Sequence, residues 1–111
     1  MHTITVCNMA QGFPDGGEYI GRTNFTASLP GSSLANIFPL SKYSRAESLR
    51  LYRQWLWYRI KNKDEAVLSE LHRLLGIAQL RTLNLVCFCA PKPCHGDIIS
   101  ACLTWLAASA N

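Results

Sequence analysis

Hydrophobic and polar positions change rhythm several times along this chain. Thr3–Cys7, "TITVC", alternates β-branched residues with a period of two and predicts a strand. "NMAQGFPDGG" follows, dense in turn formers, and predicts a loop. Glu18–Arg22, "EYIGR", predicts a second short strand that closes on a glycine. From Thr23 to Ser41 no period appears, and Pro30, Gly31, Pro39 and several serines mark a long loop. Loops of that length in a compact domain are usually functional.

Helical spacing begins at Ser44. Ser44 followed three residues later by Glu47 is a capping box, so a helix is expected to start there. At 100° per residue, Leu49, Leu51, Tyr52, Trp55, Leu56, Tyr58 and Ile60 share one broad apolar arc. Arg50, Arg53, Trp57 and Lys61 fall opposite, on a basic face that carries an indole. Arg59 projects into the apolar arc, so it is expected to pair with a buried acid or to reach a ligand site. Asp64 caps a second helix with Val67, Leu68, Leu71, Leu74 and Leu75 on one stripe and Gly76 as its stop. Leu83–Cys89, "LNLVCFC", is a continuous apolar run of strand length, as a central strand buried on both sides requires. "APKP" predicts a turn. A last helix is expected from Cys94 or His95 to about Ala108, with Ile98, Ile99, Cys102, Trp105 and Leu106 turned inward.

Strands separated by helices predict an α/β fold: one small domain over residues 1–111, a sandwich of a short, mostly parallel sheet with flanking helices. The chain is 111 residues long, nearly half of them hydrophobic, which is enough for a real core. Only 16% are charged, which argues against disorder. No targeting segment and no apolar run of membrane-spanning length is visible, so the expectation is a cytoplasmic protein without membrane contact. A phage-encoded version would sit in the host cytoplasm. Five cysteines, an odd count, argue for reduced thiols rather than a disulfide framework. Between Lys42 and Lys63 seven cations face one acid, Glu47, a balance of +6 within a chain whose net charge is +4.

Candidate chemistry concentrates in Cys87–Asp97, "CFCAPKPCHGD". Three readings apply. Zinc at Cys87, Cys89, Cys94 and His95 is one; the Cys-x-Cys spacing on a strand fits it poorly, and the favoured reading has no resident cofactor. Nucleophilic chemistry is the second: Cys94 beside a helix N-terminus, with His95 as acid–base group and Asp97 nearby. Cys7, Cys87 and Cys102 are read as small core residues. Anion binding is the third. The amides of Cys94–Asp97 would point at a phosphate, Gly96 would clear the approach and Lys92 would add charge. Asp97 would suit a ribose hydroxyl, a base edge or plain helix capping. Neither phosphate-binding glycine signature appears.

"YIGR", "SLANIF", "YRQWL" and "CFCAPKPCHGDII" together resemble the phage and bacterial family catalogued as domain of unknown function 4326. The resemblance runs from Glu18 to about Leu106. Two departures stand out: Ala35-Asn36-Ile37-Phe38 replaces a Gly-Asn-Pro-Phe loop, and a long insertion lies around Phe25–Ser33; Phe88 in place of a tryptophan is a milder change. The resemblance implies a Rossmann-like, nucleotide-binding fold. It further implies a ligand site built from Gly21, Arg22, Asn36, Cys89, Cys94, His95 and Asp97. The expected function is binding, with or without processing, of a nucleotide or related phosphorylated ligand, with Arg22 as fixed cation and Asn36 and Phe38 covering it. The alternative is a phage accessory protein that binds nucleic acid or a host protein through the basic helix, using Arg50, Arg53, Trp57 and Lys61.

Overall fold

A computed structural model describes residues 1–12, 15–26, 28–90 and 92–109. Phe13 and Pro14 of the first predicted loop, Ala27 of the long one and Pro91 of the predicted turn lie outside the described residues. The elements are β1 (Ile4–Asn8), a one-turn 3-10 helix (Met9–Gln11), β2 (Glu18–Tyr19), α1 (Arg45–Lys61), α2 (Glu65–Leu80), β3 (Leu83–Cys87) and α3 (His95–Ser109). Three helices and a three-stranded, wholly parallel sheet make a small α/β domain.

The strand order is β1-β3-β2, so the last strand in the chain is the central one. Ile4 to Asn8 register against Leu83 to Cys87, and Glu18 and Tyr19 against Leu85 and Val86. Leu83, Leu85, Val86 and Cys87 are buried, as the continuous apolar run requires. Its one polar member, Asn84, accepts a 2.6 Å hydrogen bond from the hydroxyl of its register partner Thr5. β2 is shorter than "EYIGR" predicts, yet Ile20 extends the pairing with a 3.1 Å bond from its amide to the Val86 carbonyl. The long loop from Thr23 to Ser41 is present, interrupted by a single bridge between Asn24 and Leu29.

Ser44 caps α1, its hydroxyl accepting from the Glu47 amide. The buried stripe of that helix is Ser48, Tyr52 and Leu56, narrower than the arc read from the sequence. Tyr58 stands in solvent. Arg59 is exposed too: it pairs with Asp64 at 3.0 Å and lies over the Trp55 ring at 5.7 Å. The acid it finds is the surface cap of α2, not a buried group, because the core stripe is centred on Tyr52 rather than between Tyr52 and Tyr58.

Asp64 caps α2 as expected, accepting from the Val67 amide. The helix does not stop at Gly76. It continues to Leu80, because Ala78 beyond the glycine is fully buried against the sheet side of the core. Packing here overrides the small propensity penalty of an internal glycine. Trp105 of α3 is also a departure: it is 47% exposed and meets Trp57 of α1 edge to face at 4.9 Å. Among the described residues no helix is long and apolar enough to cross a membrane.

Candidate functional site

A pocket of about 310 Å³ opens beyond the C-terminal ends of β2 and β3, between the long loop, the start of α1 and the start of α3. "YIGR" builds its first wall. Ile20 is fully buried in the core, which turns its neighbours outward. The Tyr19 phenol crosses Gly21 and donates to the Arg22 carbonyl at 2.7 Å. A Cβ on Gly21 would collide with that phenol, so glycine is required by close approach rather than by the turn. Tyr19 meets Phe88 edge to face at 6.1 Å, and Arg22 is left exposed on the pocket. Burial raises the Tyr19 phenol pKa, with the Arg22 charge opposing.

The long loop supplies the second wall, and a buried hydrogen-bond network shapes it. Tyr52 donates to the Leu34 carbonyl at 2.6 Å. Ser48, 1% exposed, donates to the Phe38 carbonyl at 2.6 Å and accepts from the Asn36 amide at 2.9 Å. The Asn36 carboxamide oxygen accepts from the Phe38 amide at 2.9 Å. Both ends of the Asn36 side chain are thus engaged in folding the loop, which sets Phe38 on the wall. Arg45, the first residue of α1, also lines the pocket and donates to the Pro93 carbonyl at 2.9 Å, tying α1 to the turn before α3. Neither Arg22 nor Arg45 is paired with a described carboxylate.

The third wall is the Cys87–Asp97 segment. Cys94 occupies the position before α3, and its sulfur accepts from the Gly96 amide at 3.3 Å. Asp97 reaches back to accept from the Cys94 amide at 3.0 Å. The result is a reciprocal cap akin to a capping box, with a thiol in the usual hydroxyl position and the Gly96 rather than the Asp97 amide as its donor. The amides of Cys94 and Gly96 are therefore satisfied within the segment, and that of Asp97 bonds the Cys94 carbonyl. Three of the four amides that the sequence reading aims at a ligand are thus engaged inside the segment. Gly96 does not clear an approach either: it is buried, and a Cβ there would press on Val6 at 2.9 Å and Ile20 at 3.0 Å.

His95 is 7% exposed, yet it lines the pocket. Its Nε2–H donates to the Ile20 carbonyl at 2.7 Å, which leaves Nδ1 as the ring's acceptor. Burial lowers its pKa, the Ile20 bond opposes that, and the nearby Arg22 adds to it, so the ring is neutral at physiological pH. The Tyr52 ring lies edge-on to it at 5.3 Å. Cys87 and Cys94, each 2% exposed, bring their sulfurs to 3.3 Å. A hydrogen bond from the Cys94 thiol lowers the Cys87 pKa to about 6, while the same bond and burial hold the Cys94 proton on.

Of the residues singled out from the sequence for ligand binding, the pocket gathers Gly21, Arg22, Asn36, Phe38, Cys89, Cys94 and His95. Lys92, Gly96 and Asp97 lie behind or beside it: Lys92 is exposed in the turn, with its amide on the Cys89 carbonyl. Sequence reasoning missed Tyr19, Arg45 and Ser48, and it read Cys87 as mere core. Arg50 and Arg53 share with Arg45 a second groove of about 490 Å³ that adjoins the pocket. Lys61 is exposed at the far end of α1, and the indole of Trp57 is partly occupied by Trp105. Among the described residues, no group of three or more His, Cys, Asp or Glu side chains is placed to hold a metal ion.

No solved structure matches this chain. Among curated proteins it is 37% identical over 57 residues to the "Uncharacterized 12.4 kDa protein in nrdA-td intergenic region" of Enterobacteria phage T4. That alignment covers 51% of this chain and 46% of the phage protein, so it spans about half the length of the relative it matches. The segments that form the three walls lie within residues 7–105, the stretch matched by the family described as "Domain of unknown function (DUF4326)", and to that family the chain belongs.

Proposed function

We propose that the pocket binds a nucleotide or a related phosphorylated small ligand. One observation carries this reading: two arginines, Arg22 and Arg45, neither paired with a described carboxylate, share a pocket with the rings of Tyr19, Phe38 and Phe88. Guanidinium groups suit phosphate, and aromatic faces suit a base. The position supports it, since ligands of open parallel sheets bind outside the carboxyl ends of the strands. Its volume of about 310 Å³ sits at the small end of ligand pockets, which run from about 300 Å³ upward, so a mononucleotide is favoured over a dinucleotide. Phosphate is gripped chiefly by side chains, since the Cys94, Gly96 and Asp97 amides are engaged within their own segment. Binding is favoured over nucleophilic catalysis at Cys94, because that thiol keeps its proton and caps a helix.

Thermal melting with a panel of mononucleotides and simple organic phosphates tests this. A ligand at 100 times its Kd stabilises by about 2.7 kcal/mol, or roughly 10 °C for a domain of this size. Arg22→Ala and Arg45→Ala should each remove most of that shift. If no panel member raises Tm at millimolar concentration, the reading is wrong.

A second reading has its own support, the groove shared by Arg45, Arg50 and Arg53. Three cations along one helix face suit the phosphates of a single-stranded nucleic acid. Affinity should then fall steeply with salt, with a log–log slope of about −0.7 per phosphate contacted. A flat response assigns the face instead to a protein partner, with the exposed Trp57–Trp105 pair as its anchor.

A further inference from the structure

We propose that Cys87 and Cys94 form a reversible redox pair in the pocket wall, oxidised to a disulfide by a small hydroperoxide. Their sulfurs are 3.3 Å apart, one at the end of β3 and the other at the cap of α3. Closing to bonding distance requires about 1.2 Å of sulfur movement, a small side-chain rotation. Each sulfur already receives a backbone N–H: Cys87 from Cys89 at 3.4 Å, Cys94 from Gly96 at 3.3 Å. Those donors stabilise negative charge on sulfur through both steps. The proton shared between the thiols favours Cys87 as the attacking thiolate. Both residues line the pocket, so a reagent as small as hydrogen peroxide reaches them although their outer surfaces are covered.

The chemistry balances in two steps. Cys87 releases its proton to solvent, its thiolate attacks one peroxide oxygen, the O–O bond breaks, and the departing hydroxide takes up an equivalent proton from solvent to become water, leaving a sulfenic acid on Cys87. With the Cys87 thiolate consumed, the bond that held the Cys94 proton is gone; the Cys94 sulfur attacks the Cys87 sulfur, the S–O bond breaks, and the leaving hydroxide takes the Cys94 proton as a second water. Two thiols have lost two electrons and two protons, and the peroxide has gained them. An external dithiol reverses the change by two thiol–disulfide exchanges. This pair was not separable in the sequence, where Cys89 is nearer to Cys94 than Cys87 is.

The test is mass spectrometry of the reduced full chain after brief peroxide treatment at neutral pH. The expected product has lost two hydrogens, carries a Cys87–Cys94 linkage in fragment spectra, and returns to its starting mass with dithiothreitol. Cys89→Ser should form the same product. Cys94→Ser should stop at a Cys87 sulfenic acid that dimedone traps. A linkage through Cys89 overturns the proposal. So does wild-type protein in which Cys87 and Cys94 stay thiols while Cys89 is fully oxidised. The wild-type and Cys89→Ser results decide the matter even where Cys94→Ser fails to fold.

Discussion

Ser48→Ala probes the link between the core and the pocket. The hydroxyl is buried and joins two partners, the Phe38 carbonyl at 2.6 Å and the Asn36 amide at 2.9 Å. Removing it strands both. A buried polar group left unsatisfied costs about 1–3 kcal/mol, and the half-buried Asn36 amide recovers part of its loss from water. Alanine's better helix propensity returns about 0.5 kcal/mol. The net loss is about 2–3 kcal/mol, which lowers Tm by roughly 8–12 °C in a domain this size. Urea denaturation at fixed pH measures it directly, and the unchanged slope would show that the unfolded state is not the cause. A cycle with Asn36→Ala should give a coupling of about 1 kcal/mol, since both changes break the same bond. A Ser48→Ala loss below about 0.5 kcal/mol, or strict additivity with Asn36→Ala, would refute the claim that this network shapes the loop.

Other outcomes follow from the same geometry. The folded-state pKa of His95 is depressed below 6.5, so the unfolded chain binds the extra proton first and stability falls as pH drops below that value. His95→Gln should flatten the acid side of the Tm–pH curve; an unchanged curve contradicts the neutral, buried imidazole. The Cys87–Cys94 pair retains one proton between its lowered and raised pKa values, whereas the unfolded thiols each titrate near 9. Folded protein therefore binds one proton fewer than unfolded from about pH 6 to 9, and the pair's contribution rises across that window and declines above it. Comparing wild type with Cys87→Ala across that range checks the sign. Asp97→Ala should cost about 1 kcal/mol through loss of the reciprocal cap. It should not weaken ligand binding more than Arg45→Ala does, and a reversed order would restore Asp97 to the pocket. Gly96→Ala should cost about 1–3 kcal/mol by overpacking against Val6 and Ile20, read as a lower urea midpoint.

Most of the fold was legible because its elements carry local signals. The caps at Ser44 and Asp64 and the unbroken apolar run before Cys87 depend on near neighbours in sequence. The errors share one origin. Gly76, Tyr58, Arg59 and Trp105 were read by local rules, whereas their state is set by which stripe of each helix faces the sheet. Helical phase leaves that choice open to within a residue or so when an apolar arc is broad. The site shows the same division. Its motifs announced themselves, and the pocket gathers seven of the residues read from them as ligand-binding. What each does was not readable, since Asn36, Gly96 and Asp97 answer to partners at Ser48, Val6 and Cys94. Arg45 was counted only as charge, because nothing in the sequence says that α1 begins beside the turn before α3.

The middle strand of the sheet is the last to be made. As the chain leaves the ribosome, β1 and β2 emerge with no neighbour to hydrogen-bond until Leu83–Cys87 follows. Only α1 and α2 can take shape before then. The sheet must therefore close late, through contacts some 70 to 80 residues apart, and in one cooperative event. Nascent chains halted before Leu83 should show helical hydrogen-exchange protection and none at Ile4–Asn8. Until release they carry unpaired strand edges, which makes crowded synthesis the moment of greatest aggregation risk.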